Sequence, residues 1–310
     1  MKAFSVFDDF PQSSVSILQS KEISIDLLPK GQERPAGKDL KSIFDRYDII
    51  FISTAQKMPE EMFKDVTSPK IIGTASSGTD HIHIPADKLH LVKVANATYA
   101  NRSTVTEHTF ALILTLRKRL IEGRRVASEG KSKKIMTSKP IDLMGSTIGV
   151  IGAGGIASTV LRIANCWGMK CLCWTLHPEN HSNLNMEGVQ FVDIESLLRQ
   201  SDVISVNIPL SEQTHNLISS ERVAMLKDNA VFVTTSRIDV TDKEALFAKA
   251  RHCKEFGLGV DVDALDVMGL WTPDMDNVIV TPHIGGGTIE SRIRLFDECT
   301  ENVVKYLDVI

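Results

Sequence analysis

Short apolar runs rich in β-branched residues recur along this chain, separated by stretches of helical spacing. In the first third the runs are Lys2–Phe7, Ile23–Leu28, Ile49–Ser53, Lys70–Gly73 and Leu91–Lys93. Later ones are Ile148–Ile151, Lys170–Trp174, Val203–Asn207, Ala230–Thr234, Gly257–Val262 and Asn277–Val280. Helical spacing falls at Val15–Gln19, Leu40–Asp45 and Glu60–Phe63, and again at Ile194–Gln200, Ser219–Met225 and Asp242–Lys254. Strands that lack polar alternation are buried on both faces, and interleaved helices make their pairing parallel. The expected fold is therefore α/β, with doubly wound parallel sheets.

Ser103–Glu122 is expected to form the longest helix. Thr104 stands as its N-cap, with Glu107 three residues on at capping-box spacing. The stretch Phe110–Leu116 is apolar nearly all round, which suits burial between layers or domains. A loop over Ser128–Ser146 leads into the next strand.

With 310 residues the chain suffices for two domains of ordinary size, and 43% hydrophobic with 24% charged residues is a globular composition. The net charge of -4 and the absence of a basic stripe argue against a nucleic-acid partner. Lys131, Lys133 and Lys134 form only a short solvated run. No apolar run approaches membrane-spanning length, and the first residues form a strand rather than a signal peptide. The five cysteines, Cys166, Cys171, Cys173, Cys253 and Cys299, are an odd number, expected to be reduced thiols of a cytoplasmic protein. Cys171 and Cys173 share one face of a strand, where a disulfide would be strained.

The segment Thr147-Ile-Gly-Val-Ile-Gly-Ala-Gly-Gly-Ile-Ala157 carries the sharpest chemical signal. A buried strand runs into Gly152, Gly154 and Ala157, in the order G-x-G-x-x-A, and a helix follows to about Asn165. The first glycine allows a tight turn, the second lets a pyrophosphate approach the backbone, and the alanine lets helix and strand pack closely. Phosphates would sit on the amides that open the helix. Where NAD sites place an acid, at the end of the next strand, this chain has Thr175, with His177 beyond it. Loss of the carboxylate removes repulsion against a 2′-phosphate, so NADP(H) is slightly favoured. No Arg or Lys stands immediately there, which keeps NAD(H) open.

Several ordered motifs resemble the D-isomer-specific 2-hydroxyacid dehydrogenases. They are Ser76-Ser-Gly-Thr-Asp-His-Ile82, Asn96–Glu107, the glycine turn, Asn207–Ile218, Met225–Arg237 and Thr281-Pro-His-Ile-Gly-Gly-Gly-Thr288. The resemblance covers essentially the whole chain. It implies two Rossmann-like domains: a flavodoxin-like substrate domain, residues 1–95 completed by 284–310, and a dinucleotide domain, 96–283. The last helix, Ser291–Asp308, would return to the first domain, and the cleft would close on substrate. It implies cofactor contacts at Thr104, Gly152, Gly154, Gly155, Ile156, Thr175, His177, Asn207, Pro209, Thr214, Thr235 and Asp261.

The same resemblance implies the catalytic set. Arg237, just past a strand end, would bind the 2-oxo acid with its planar fork and polarise the carbonyl. Ile238 stands where the family usually has Gly. His283 would supply the proton. The family's glutamate partner falls on Asp266, if counting from Arg237 without a gap places Asp261 beside the nicotinamide. An Asp there is one methylene short, so the loop must move in by roughly 1.5 Å. In a rival register Asp266 takes the nicotinamide position and His283 has no acid partner; Asp263 is a backup acid. Ser77 and Gly78 would hold the substrate carboxylate through their amides. Asp80, His81 and His83 do not make a convincing metal site, and none is expected. Glu107–His108 is explained by capping and burial.

The expected reaction is reversible reduction of glyoxylate, hydroxypyruvate or pyruvate to the D-2-hydroxy acid. The alternatives are an NADP-dependent reductase of sugar or phosphorylated acids, and a non-catalytic dinucleotide-binding interaction protein. A homodimer is expected, with the apolar helix Thr109–Leu120 packing across a two-fold axis.

Overall fold

The computed structural model describes residues 1–181, 184 and 188–307. It divides into two compact units, Arg102–Gly287 and the remainder on either side of it. The first unit contains β1 (Lys2–Ser5), α1 (Gln12–Gln19), β2 (Ser24–Leu27), α2 (Gly37–Arg46), β3 (Ile49–Ile52), β4 (Lys70–Thr74) and β5 (Val92–Asn96). Its five-stranded sheet has the order β2-β1-β3-β4-β5, parallel throughout. Glu60–Phe63, expected as an α-helix, is a single turn of 3-10 helix, too short to propagate α-helical hydrogen bonding.

The second unit contains α3 (Arg102–Arg117), α4 (Leu120–Ser128), β6 (Thr147–Ile151), α5 (Gly155–Cys166), β7 (Lys170–Trp174), β8 (Val189–Phe191), α6 (Ile194–Gln200), β9 (Val203–Val206), α7 (Ser220–Ala224), β10 (Val231–Thr234), α8 (Lys243–His252), β11 (Gly257–Val262) and β12 (Val278–Pro282). Its seven strands are ordered β12-β11-β10-β9-β6-β7-β8, again parallel. The order reverses at β6, so the switch point of this sheet falls at the glycine turn. Edge strand β8 carries too few residues to show a period and was not expected. The closing helix α9 (Ile289–Leu307) packs on α1, β4 and β5 of the first unit. Its Phe296, Cys299 and Val303 are fully buried there; the expected end at Asp308 lies outside the described residues.

Both expected domain boundaries differ from those of the compact units. After β5, the amides of Thr98 and Tyr99 donate to the Glu298 carboxylate at 2.9 and 3.0 Å, and Arg294 Nε donates to the Ala100 carbonyl. These bonds keep 97–101 with the first unit. At the other end, the amides of Ile284 and Gly285 donate to Asp261, which keeps the chain in the second unit as far as Gly287.

The long helix also departs from expectation. It begins at Arg102, which puts Thr104 inside its first turn rather than at the cap, and it ends at Arg117. Arg119 adopts φ +53°, breaks the helix, and donates from its guanidinium to the carbonyls of Lys254 and Glu255 beyond α8. At 19 residues, α9 is the longer helix. The apolar side of α3 lies on its own sheet: Leu112 and Leu116 fill the space over Gly259 and Gly257, where a Cβ would meet them at 3.2 Å. The apolarity of α3 is thus satisfied within one chain, and no longer supports an intersubunit role for that helix.

Candidate active site

The candidate residues of the second unit lie in the loops and turns that follow its strands, in the last residues of those strands, or at the start of α3 and α5. Beyond β6, Gly152 has φ +111° and its amide donates to the Trp174 carbonyl at 2.7 Å. A Cβ at Gly152 would come 2.6 Å from the Asn207 carbonyl oxygen, so the turn excludes any side chain. Gly154 caps α5 and has open space above it, and Ala157 is fully buried behind the turn. The amides of Gly155 and Ile156, first in α5, have no intrahelical acceptor. Asn207 donates from Nδ2 to Ser205 Oγ at 2.8 Å, while its Oδ1 is buried without a partner. The open approach over Gly154, the amides that open α5 and the unpartnered Asn207 Oδ1 fit a dinucleotide. Pro209 is exposed beside them. Thr214 is buried, accepts from the Ser211 amide and donates to the Pro209 carbonyl, so its hydroxyl is engaged within its own turn.

At the end of β7, Thr175 is half-buried and His177 exposed. His177 Nδ1 lies 3.2 Å from Glu179 Oε1. A hydrogen bond from its own backbone amide, then the His177 contact, hold the Glu179 carboxyl below its ordinary range.

The other half of the rim is built from side chains. Past β10, Thr235 Oγ1 lies 3.4 Å from Thr109 Oγ1, and the Ser236 hydroxyl donates to the Ile208 carbonyl. Arg237 is half-buried and caps a short 3-10 turn, Ile238–Val240. Ile238 is 1% exposed and packs in the core, so the departure from Gly anchors the turn that carries Arg237.

Asp261, at the end of β11, is 2% exposed. Its Oδ1 accepts from Thr281 Oγ1 at 2.6 Å and from the Ile284 amide at 2.9 Å, and its Oδ2 accepts from the Gly285 amide at 2.7 Å. One buried carboxylate therefore ties the Thr281 side chain, before His283, to the two backbone amides that follow it. That histidine is exposed and held at φ +53°, a conformation few non-glycine residues adopt. Gly285 has no room for a side chain: a Cβ would lie 2.6 Å from Asp261 Oδ2 and 3.1 Å from His108 Cδ2. His108 Nε2, on α3, lies 3.0 Å from Thr281 Oγ1 and 3.6 Å from Asp261 Oδ1. Since Thr281 donates to Asp261, its oxygen accepts from His108, which places a proton on Nε2.

Asp266 and His283 are both exposed, and no hydrogen bond or ion pair joins them among the described residues. Asp266 sits in the 3-10 turn Ala264–Val267, fixed by buried Val267 and by Asp263, whose carboxylate accepts from the Leu265 amide at 3.0 Å. With that backbone pinned, the shorter acid is not carried inward. In the first unit, Asn96 Nδ2 donates to the Ser77 carbonyl and Ser76 Oγ to that of Gly78. The amides of Ser77 and Gly78 donate to no group among the described residues, as an anion nest requires. His81 is buried with Nε2 3.2 Å from Thr74 Oγ1.

Residues 110–285 match the family model described as D-isomer specific 2-hydroxyacid dehydrogenase, NAD binding domain. The chain belongs to the D-isomer-specific 2-hydroxyacid dehydrogenase family. It is 30% identical to hydroxypyruvate reductase of Thermotoga maritima over 310 residues, 98% of each chain. It is 28% identical to a glyoxylate reductase of Thermofilum pendens, with 96% of this chain and 89% of that one aligned. The crystal structure of D-lactate dehydrogenase from Aquifex aeolicus, complexed with NAD and lactic acid, superposes with a TM-score of 0.80 at 28% identity, covering 100% of this chain and 96% of that one. Among the described residues no helix is long and apolar enough to cross a membrane.

In this family member, reasoning from sequence missed two side chains near the candidate site. His108 was assigned to capping and burial, yet it touches the threonine beside the His283 loop. Glu179, four residues beyond Thr175, carries no motif that marks it in the sequence. Neither sits at a strand end, and only the fold brings the helix residue to the loop.

Proposed function

We propose that the chain reversibly reduces a small 2-oxo acid, glyoxylate, hydroxypyruvate or pyruvate, to the D-2-hydroxy acid. The observation that carries this reading is the pinning of the His283 loop by Asp261, beside the strand end that presents Arg237. The nicotinamide dinucleotide supplies the hydride when bound. Arg237 binds the carboxylate and polarises the carbonyl; in the first unit, the Ser77 and Gly78 amides are assigned as an anion nest for an acid's carboxylate. His283 gives its proton to the carbonyl oxygen as C2 is reduced, and takes one back in the oxidative direction. Asp266 is assigned as the candidate carboxylate partner of His283, to which no hydrogen bond or ion pair joins it among the described residues.

Thr175 favours NADP(H) slightly, since it presents no carboxylate to a 2′-phosphate; the ionised Glu179 is the counterweight on the same loop. The five unpaired cysteines suit a cytoplasmic enzyme. A homodimer is proposed through the second unit. Its Leu120, Ile121, Ile135 and Met144 are 54, 38, 52 and 79% exposed, apolar surface that a partner copy would cover. Light scattering at micromolar concentration is expected to give twice the chain mass, and a monomer would refute this part.

The test of the reaction is oxidation of NADH and NADPH, in parallel, with the three acids. Turnover with at least one acid is expected. No turnover with any acid and either cofactor would overturn the reading.

A further inference from the structure

Gly155 needs its own explanation. It is not among the residues with positive φ, so its backbone makes no demand for glycine. Yet a Cβ built there would overlap Nε and Cζ of Arg102. The space a side chain would fill at the opening of α5 is taken by a guanidinium from α3.

Arg102 is the first residue of α3 and is half-buried. Its carbonyl accepts from Thr106 Oγ1 at 2.8 Å, which fixes the turn that launches its side chain. The first turn of α5 contains no acidic residue. The amides of Gly155 and Ile156 and the helix dipole already favour an anion at this end. A guanidinium laid on the same glycine adds a full charge and planar donors suited to phosphate oxygens.

We propose that Arg102 is a cofactor-binding residue that grips the pyrophosphate from α3, and that residue 155 is glycine to admit it. This rests on the dinucleotide reading of the glycine turn. The cation is thereby supplied from outside the glycine motif, by a residue 53 positions before Gly155.

The test is direct binding, measured on the full chain by fluorescence titration and calorimetry, without turnover. The probes are NADH, NADPH, ADP and adenosine. Arg102→Ala is expected to raise Kd for both dinucleotides and for ADP about tenfold or more, the loss typical of one charge-assisted contact. Adenosine affinity should stay the same, and the affinity for ADP should depend less steeply on salt. Gly155→Ala should also weaken dinucleotide binding in the wild-type background, by displacing Arg102, and should have no further effect beside Arg102→Ala. The double variant Arg102→Ala, Gly155→Arg returns a guanidinium to the vacated space and should recover most of the lost affinity. Thermal melts of every variant keep binding separate from folding.

A Kd for NADH and ADP within twofold of wild type in Arg102→Ala would overturn the assignment while leaving the dinucleotide site intact. So would an equal loss for adenosine, which marks a general distortion. A wild-type chain that binds neither dinucleotide would overturn the site reading and this assignment together.

Discussion

The turn after β6 and the loop after β12 occupy the same kind of place, the carboxyl end of a parallel strand, but they are held by opposite means. The first is shaped by what is missing. Gly152 turns at φ +111° against the Asn207 carbonyl, and its neighbours leave amides open. The second is shaped by one side chain from the next strand: Asp261 accepts from Thr281, Ile284 and Gly285, and holds His283 at φ +53°. A site built from backbone recognises a fixed polyanion. One built from side chains can present groups that take and give protons. Substitution of Arg237 should therefore change turnover and spare cofactor affinity, and substitution of Gly152 should do the reverse.

The largest effect is expected from Arg237→Ala. Loss of binding and polarisation together should lower kcat/KM by roughly 10³, about 4 kcal/mol of transition-state stabilisation, with the Kd for NADH within about threefold of wild type. A folded variant with more than a tenth of wild-type activity would break the assignment. Next comes Gly152→Ala. The new Cβ meets the Asn207 oxygen at 2.6 Å in a conformation alanine avoids. Strain of about 1–3 kcal/mol should raise cofactor Kd about tenfold or more and lower the melting temperature. Unchanged Kd would remove the distinction between the two ends of the sheet.

Asp266 and Asp263 sharpen the comparison within the β11–β12 side. Asp266→Asn removes the carboxylate assigned to His283, so reductive kcat/KM should fall about tenfold above neutral pH and fall less at low pH. Asp263→Asn keeps a side-chain acceptor for the Leu265 amide and should leave the pH profile unmoved. A profile that shifts for Asp263 alone would hand the role to that residue; no shift in either would mean that His283 works without a carboxylate. The smallest change is expected from Thr175→Asp, a several-fold move in preference toward NADH, since the new carboxylate accepts the ribose hydroxyl and repels a 2′-phosphate. A wild type that already prefers NADH tenfold would reverse the lean toward NADP(H).

Local order carried most of the fold into the sequence. A strand such as Lys170–Trp174 or Gly257–Val262 is buried on both faces, and its apolar run ends where its burial ends. The glycine turn was legible for the same reason: its constraints bind neighbours in the chain. Family motifs supplied Arg237 and His283, since each lies just past a strand end whose order is set by sequence. Three things had to wait for tertiary structure. The break at Arg119 depends on carbonyls of residues 254 and 255, far along the chain. The engagement of Asp261 depends on β11 and β12 pairing in register, Asp261 against Thr281. The meeting of Arg102 with Gly155 depends on α3 packing on α5. In each case the deciding force is a contact or hydrogen bond between segments that sequence spacing does not relate. Chain periodicity settles which residues are buried, but only packing settles which of them touch.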